Sequence, residues 1–131
     1  MDIKQVLTDL FNKDESILLV ILYGSFAAGR ETQNSDIDIA IAGKEKLEPE
    51  HLMTLNLRLS KLTGREVDII DLNNIEGTIL TEVITKGAVL KKQDTNLYAD
   101  LIKKVIYYEE DMADNIRYIL KHRQEKFLNA L

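Results

Sequence analysis

Residues 17–42 read I-L-L-V-I-L-Y-G-S-F-A-A-G-R-E-T-Q-N-S-D-I-D-I-A-I-A. The opening run, Ile17 to Tyr23, is short, continuous and apolar, the composition of a strand buried on both faces and central in a sheet. Gly24 ends it. From Ser35 to Ala42 the residues alternate strictly, so that Ile37, Ile39 and Ile41 share one face and Asp36, Asp38 and Ala40 share the other. A strand that sets two carboxylates on one face beside a glycine-serine bend is an unusual object, and the rest of the chain is best read outward from it.

On the C-terminal side, Leu52, Leu55, Leu59 and Leu62 recur at helical spacing after Pro49, and Gly64 stands where a C-terminal cap belongs. Glu66 to Leu72 returns to strand character, with Val67 and Ile69 facing one way and Asp68 and Ile70 the other. Ile75 to Thr85 reads as a short helix and Ala88 to Lys91 as an edge strand. On the N-terminal side, Ile3, Val6, Leu7, Leu10 and Phe11 mark a first helix. From Asp94 almost to the end one stripe persists: Leu97, Leu101, Val105, Tyr108, Met112, Ile116, Ile119 and Phe127. Such a helix would span roughly 50 Å, more than the width of a small domain, so it must bend or overhang.

The expected class is therefore α/β (α+β): a small mixed β-sheet on strands near 17–23, 36–42 and 66–71, flanked by helices and followed by a long C-terminal helix. A length of 131 residues fits one domain. Within it, residues 1–95 form the sheet-bearing part and 96–131 a helical extension whose apolar residues exceed what a small sheet can cover. Surplus of that kind goes to a partner chain, a second copy or a different protein alike.

Composition removes several classes. There are no cysteines, hence no disulfide framework, iron–sulfur cluster or thiol nucleophile, which fits a reducing cytoplasm. The only histidines, His51 and His122, are too far apart in sequence for a helical zinc pair. A formal charge of -5 repels nucleic-acid phosphates, and no segment reads as a signal peptide or membrane span. The phosphate loop, dinucleotide fingerprint and nucleophile-elbow motifs are all absent from the sequence.

What remains is the chemistry of residues 24–38. Without a Cβ, Gly24 lets backbone approach a ligand, and the residues after it can open a helix whose free N–H groups meet an anion; Ser25 adds a hydroxyl donor. Asp36 and Asp38 project from one strand face roughly 6 to 7 Å apart at Cα, close enough to repel unless a cation lies between them. One or two carboxylates with ligand phosphates and water is the usual environment of Mg²⁺. Asp68 lies at the corresponding depth of the later strand and reads as a third carboxylate; Asp71, of opposite parity, and Glu66 are its competitors.

Gly24-Ser25, ten intervening residues and Asp36-x-Asp38 resemble the G-S-x(10)-D-x-D motif of the DNA polymerase β-like nucleotidyltransferase superfamily, and Val67-Asp68-Ile69-Ile70 is similar to the strand that carries its third acidic residue. The short chain looks most like the minimal nucleotidyltransferase (MNT) antitoxins that pair with HEPN-family ribonuclease toxins. That resemblance implies a nucleotidyltransferase fold and transfer of AMP from ATP, with two Mg²⁺ ions, onto a tyrosine of the toxin. It implies catalytic and metal-binding roles for Asp36, Asp38 and Asp68, and nucleotide binding by Gly24 and Ser25. Many relatives carry an arginine just before the following glycine, where this chain has Ala28; Arg30, just past Gly29, is the nearest residue to take over a phosphate contact. Two other readings stay open: a small-molecule nucleotidyltransferase of the aminoglycoside-modifying kind, and a binding-only antitoxin with an inactive site.

Overall fold

The computed structural model describes residues 1–130. Helix α1 (Ile3–Asn12) leads into β1 (Leu19–Tyr23), the one-turn α2 (Ser25–Ala28), β2 (Ile37–Ala42), α3 (Pro49–Thr63), β3 (Val67–Asp71), α4 (Gly77–Lys86), β4 (Ala88–Lys92) and α5 (Thr95–Asn129). The order across the sheet is β3-β2-β1-β4. β1 runs antiparallel to both neighbours, whereas β2 and β3 are parallel, joined by the α3 crossover. The sheet is thus mixed, as the sequence implied, and the apolar run at 19–23 occupies an interior strand.

The alternation read from the sequence sorts the two faces. Val20, Leu22, Ile37, Ile39, Ile41 and Val67 pack with Leu7 and Phe11 of α1 and with Leu55 and Leu59 of α3. On the other face Leu19, Ile21, Ala40 and Ala42 pack with Leu80 and Val83 of α4 and Leu101 and Val105 of α5. The alanines in β2 have a purpose here: they leave room for two helices to lie close to the strand. Pro49 sits in the first turn of α3, and Gly64 ends it at φ 68°, a left-handed value that only glycine adopts at little cost.

Among the described residues Asp71 is the buried carboxylate, 6 % exposed. Its oxygens accept from the Leu47 backbone N–H at 2.8 Å and from that of Asn73 at 2.9 Å, tying the loop after β2 to the end of β3. Asp71→Ala would orphan both donors and is expected to cost about 2–4 kcal/mol in urea unfolding, with no change in nucleotide chemistry. A loss below about 0.5 kcal/mol would refute this structural role.

Helix α5 overhangs. Its first turns are held by Leu97, Leu101 and Val105, but beyond Tyr108 every described residue is exposed, leaving roughly 30 Å of helix clear of the domain. The apolar stripe expected along its whole length packs only at its start. Tyr107, turned away from the domain, and Tyr118, past the end of the sheet, stand 62 % and 70 % exposed.

Candidate active site

Strand pairing brings the separated motif residues together. In the parallel ladder Asp38 is the direct partner of Asp68, and in the antiparallel ladder it is the partner of Tyr23. Directly paired residues share a face, so Tyr23, Asp38 and Asp68 form a row across three strands, neighbours about 4.8 Å apart in the pairing direction. Asp36, one residue before β2, has the same parity as Asp38. Asp71 points to the other face and is committed to capping. The third carboxylate at this face is therefore Asp68; Asp36 and Asp68 are exposed and Asp38 is half-buried.

Gly24 fits against this row. It has φ 73° and ψ -149°, a combination confined almost entirely to glycine, and a Cβ built on it would collide with the Asp38 carboxylate. The bend therefore lies directly against Asp38, and α2 begins at Ser25. Arg30 follows the left-handed Gly29; its side chain is exposed and is not drawn to the carboxylates. His51 lies on α3 with its Nε2 3.7 Å from Asp14, and His122 stacks on Tyr118 far out on α5, so neither histidine joins the site.

The electrostatics are those of uncompensated negative charge. Burial first, then the nearby charges of Asp68 and Asp36, hold the Asp38 carboxyl above the ordinary aspartate value of 3.8. Burial again, followed by Asp68, Asp38 and Glu82, pushes the Tyr23 phenol up to about 12. Among the described residues no salt bridge reaches Asp36, Asp38 or Asp68, and no three acidic or imidazole groups converge as a ready-made metal cage. This donor set, carboxylate oxygens on one open surface, fits Mg²⁺ that completes its shell with phosphate and water rather than a closed structural metal site.

Sequence reasoning missed Tyr23 as part of this face. Its signal was available only jointly: it precedes Gly24 immediately, and its pairing with Asp38 requires the register. In an NMR titration Tyr23 is expected to have its midpoint at about 12 and to titrate lower in Asp68→Asn. Since its folded pKa lies above that of an unfolded tyrosine, stability should decline as pH rises from about 10 towards 12. A Tyr23 midpoint at the ordinary value would contradict this placement.

A mixed four-stranded sheet with paired aspartates against a glycine-serine bend defines a nucleotidyltransferase, and comparison with known proteins agrees. Residues 5–96 match the family model described as polymerase beta, nucleotidyltransferase, and the chain belongs to that family. It is 31% identical over 98 residues to the protein adenylyltransferase MntA of Shewanella oneidensis, covering 73% of this chain and 69% of that protein. Among solved structures it is similar to a toxin–antitoxin complex with AMP-PNP, with TM-score 0.74 at 23% identity over 94% of this chain and 99% of that one. It is also similar to a chain of the solved structure of the tri-AMPylated Shewanella oneidensis HEPN toxin in complex with MNT antitoxin, with TM-score 0.67 at 21% identity over 92% and 98% of the two chains.

Proposed function

We propose that this protein is the antitoxin of a two-protein system and neutralises a HEPN-type ribonuclease toxin in the cytoplasm by transferring AMP from ATP to a tyrosine hydroxyl of the toxin. The observation that carries the reading is the in-register pair Asp38 and Asp68 beneath the Gly24 bend, with Asp36 on the same face. Relatedness to a protein adenylyltransferase supports AMP as the transferred group, and the overhanging α5 supports a protein rather than a small-molecule acceptor.

In this reading the Gly24-Ser25 backbone and the Ser25 hydroxyl receive the phosphates, with Arg30 able to swing in from solvent. Asp36, Asp38 and Asp68 would hold Mg²⁺, which when bound neutralises the triphosphate and lowers the pKa of the attacking hydroxyl. Asp68, on the exposed edge strand, faces the side from which an acceptor tyrosine can approach. The tyrosine oxygen forms a bond to the α-phosphorus, the bond to the bridging oxygen breaks, and pyrophosphate leaves while the hydroxyl proton passes to solvent. The chain's contribution is positioning and charge, not a covalent intermediate.

The test is incubation of the copurified pair with ATP labelled at the α-phosphate, with and without Mg²⁺. Label on a toxin tyrosine that needs Mg²⁺ supports the reading. A tight complex that never labels, or label on an aminoglycoside instead, overturns it.

A further inference from the structure

Asp36 is the one proposed metal-binding residue that lies outside regular structure, at the end of the loop from Gly29 to Asp36. The bonds within that loop all lie inside the Thr32–Ser35 turn: the Thr32 N–H donates to the Ser35 Oγ at 2.7 Å, the Ser35 N–H to the Thr32 carbonyl at 3.2 Å and the Asn34 N–H to the Thr32 Oγ1 at 3.4 Å, and the two hydroxyls are 3.2 Å apart. Its clamp comes from elsewhere. The Nη1 of Arg65 donates to the Thr32 carbonyl at 2.9 Å and to the Ser35 carbonyl at 3.0 Å. The same guanidinium lies 5.0 Å from the centroid of the Phe26 ring, in the helix that starts at Ser25. Arg65 itself is three residues before Asp68. One side chain therefore ties together the phosphate bend, the Asp36 loop and the entry to the Asp68 strand.

Its choice of partners is informative. Arg65 sits in a hollow of about 350 Å³ shared with Asp36 and Glu66, yet among the described residues it forms no salt bridge. It spends its donors on carbonyls and leaves the Asp36 carboxylate free. Both bonds leave from the one nitrogen, Nη1, so a lysine ammonium could replace them in part, but it would lack the flat guanidinium that lies over Phe26.

We infer that Arg65 is a positioning residue for AMP transfer, holding the Thr32–Ser35 turn so that Asp36 meets a divalent cation together with Asp38 and Asp68. This rests on the reading of Asp36 as a metal ligand given above. The test compares the parent, Arg65→Gln and Arg65→Lys in the full chain with its toxin. It measures the Mg²⁺ concentration for half-maximal transfer at saturating ATP, and amide hydrogen exchange across residues 32–36 in the protein without nucleotide. For Arg65→Gln the half-saturating Mg²⁺ should rise about tenfold or more, most of the rate returning at high Mg²⁺, and the loop amides should exchange faster. Arg65→Lys should recover part of both effects.

An unchanged Mg²⁺ dependence in Arg65→Gln overturns the inference, as does an equal loss of rate at every Mg²⁺ concentration. If Arg65→Gln does not fold, Arg65→Lys alone decides on the same criteria. Asp36→Ala with Asp38→Ala separates the levels: persistent labelling in that double variant sinks the reading of Asp36 and Asp38 as metal ligands, whereas its loss beside a parent-like Arg65→Gln sinks only the role of Arg65.

Discussion

Asp38→Asn should lower AMP transfer by about 10³-fold or more while leaving the melting temperature unchanged or raised. The two halves of this expectation have the same origin. Asp38 is half-buried between Asp36 and Asp68, and its carboxyl is held above the usual value because the charged form is unfavourable there. The folded pKa exceeds the unfolded one, so ionised Asp38 opposes folding at neutral pH, and the opposition fades as pH falls through the folded pKa. Asparagine has the same shape without the charge and removes this cost. In the proposed function it also removes a carboxylate ligand of Mg²⁺ between the other two aspartates, a loss set at or above the 10²- to 10³-fold that removing one oxyanion-hole donor typically costs. Rate by label transfer and stability by thermal melting should move in opposite senses; a destabilised Asp38→Asn, or one of parent-like rate, would remove Asp38 from the centre of the site.

The second large effect is expected on the free part of α5. Ile116 and Ile119 are 51 % and 47 % exposed and lie three residues apart on one side of the helix. Ile116→Glu with Ile119→Glu should leave the isolated protein's urea midpoint within error, because neither side chain packs on the domain. If the toxin covers this helix, both charges enter an apolar contact, and affinity should fall by about 100-fold or more, the scale of two central interface residues. Calorimetry or pull-down with the toxin measures it. Parent-like affinity would move the contact to another face, and the cleft of about 740 Å³ between the start of α4 and Tyr107 and Tyr108 would be the next to probe.

Much of this arrangement was legible because it depends on parity. The alternation in Ser35 to Ala42 placed Asp36 and Asp38 on one face, and the same rule separated Asp68 from Asp71, since each step along a strand reverses the side chain. Pro49 and Gly64 bounded α3 through local backbone preference. What stayed hidden depends on pairing and on distant chain. Tyr23 joins the aspartates only through its register with Asp38, and strand register is fixed by the whole hydrophobic pattern rather than by neighbours in sequence. Arg65 carries no signal in the sequence; its bonds to Thr32 and Ser35 span some thirty residues that no local pattern relates. The extent of α5 was legible, but where the domain stops supporting it was not, because that is a property of the sheet's size.

Because Asp38 and Asp68 are matched rung to rung by the ladder between β2 and β3, their separation is insulated from the length of the crossover that joins those strands. Extra residues spliced in at Lys44–Lys46, which are all exposed, would lengthen the chain's path without parting the two carboxylates. The geometry of the carboxylate pair is in that sense modular: the connection between its halves can be rewritten, provided the backbone rungs that gauge it are kept.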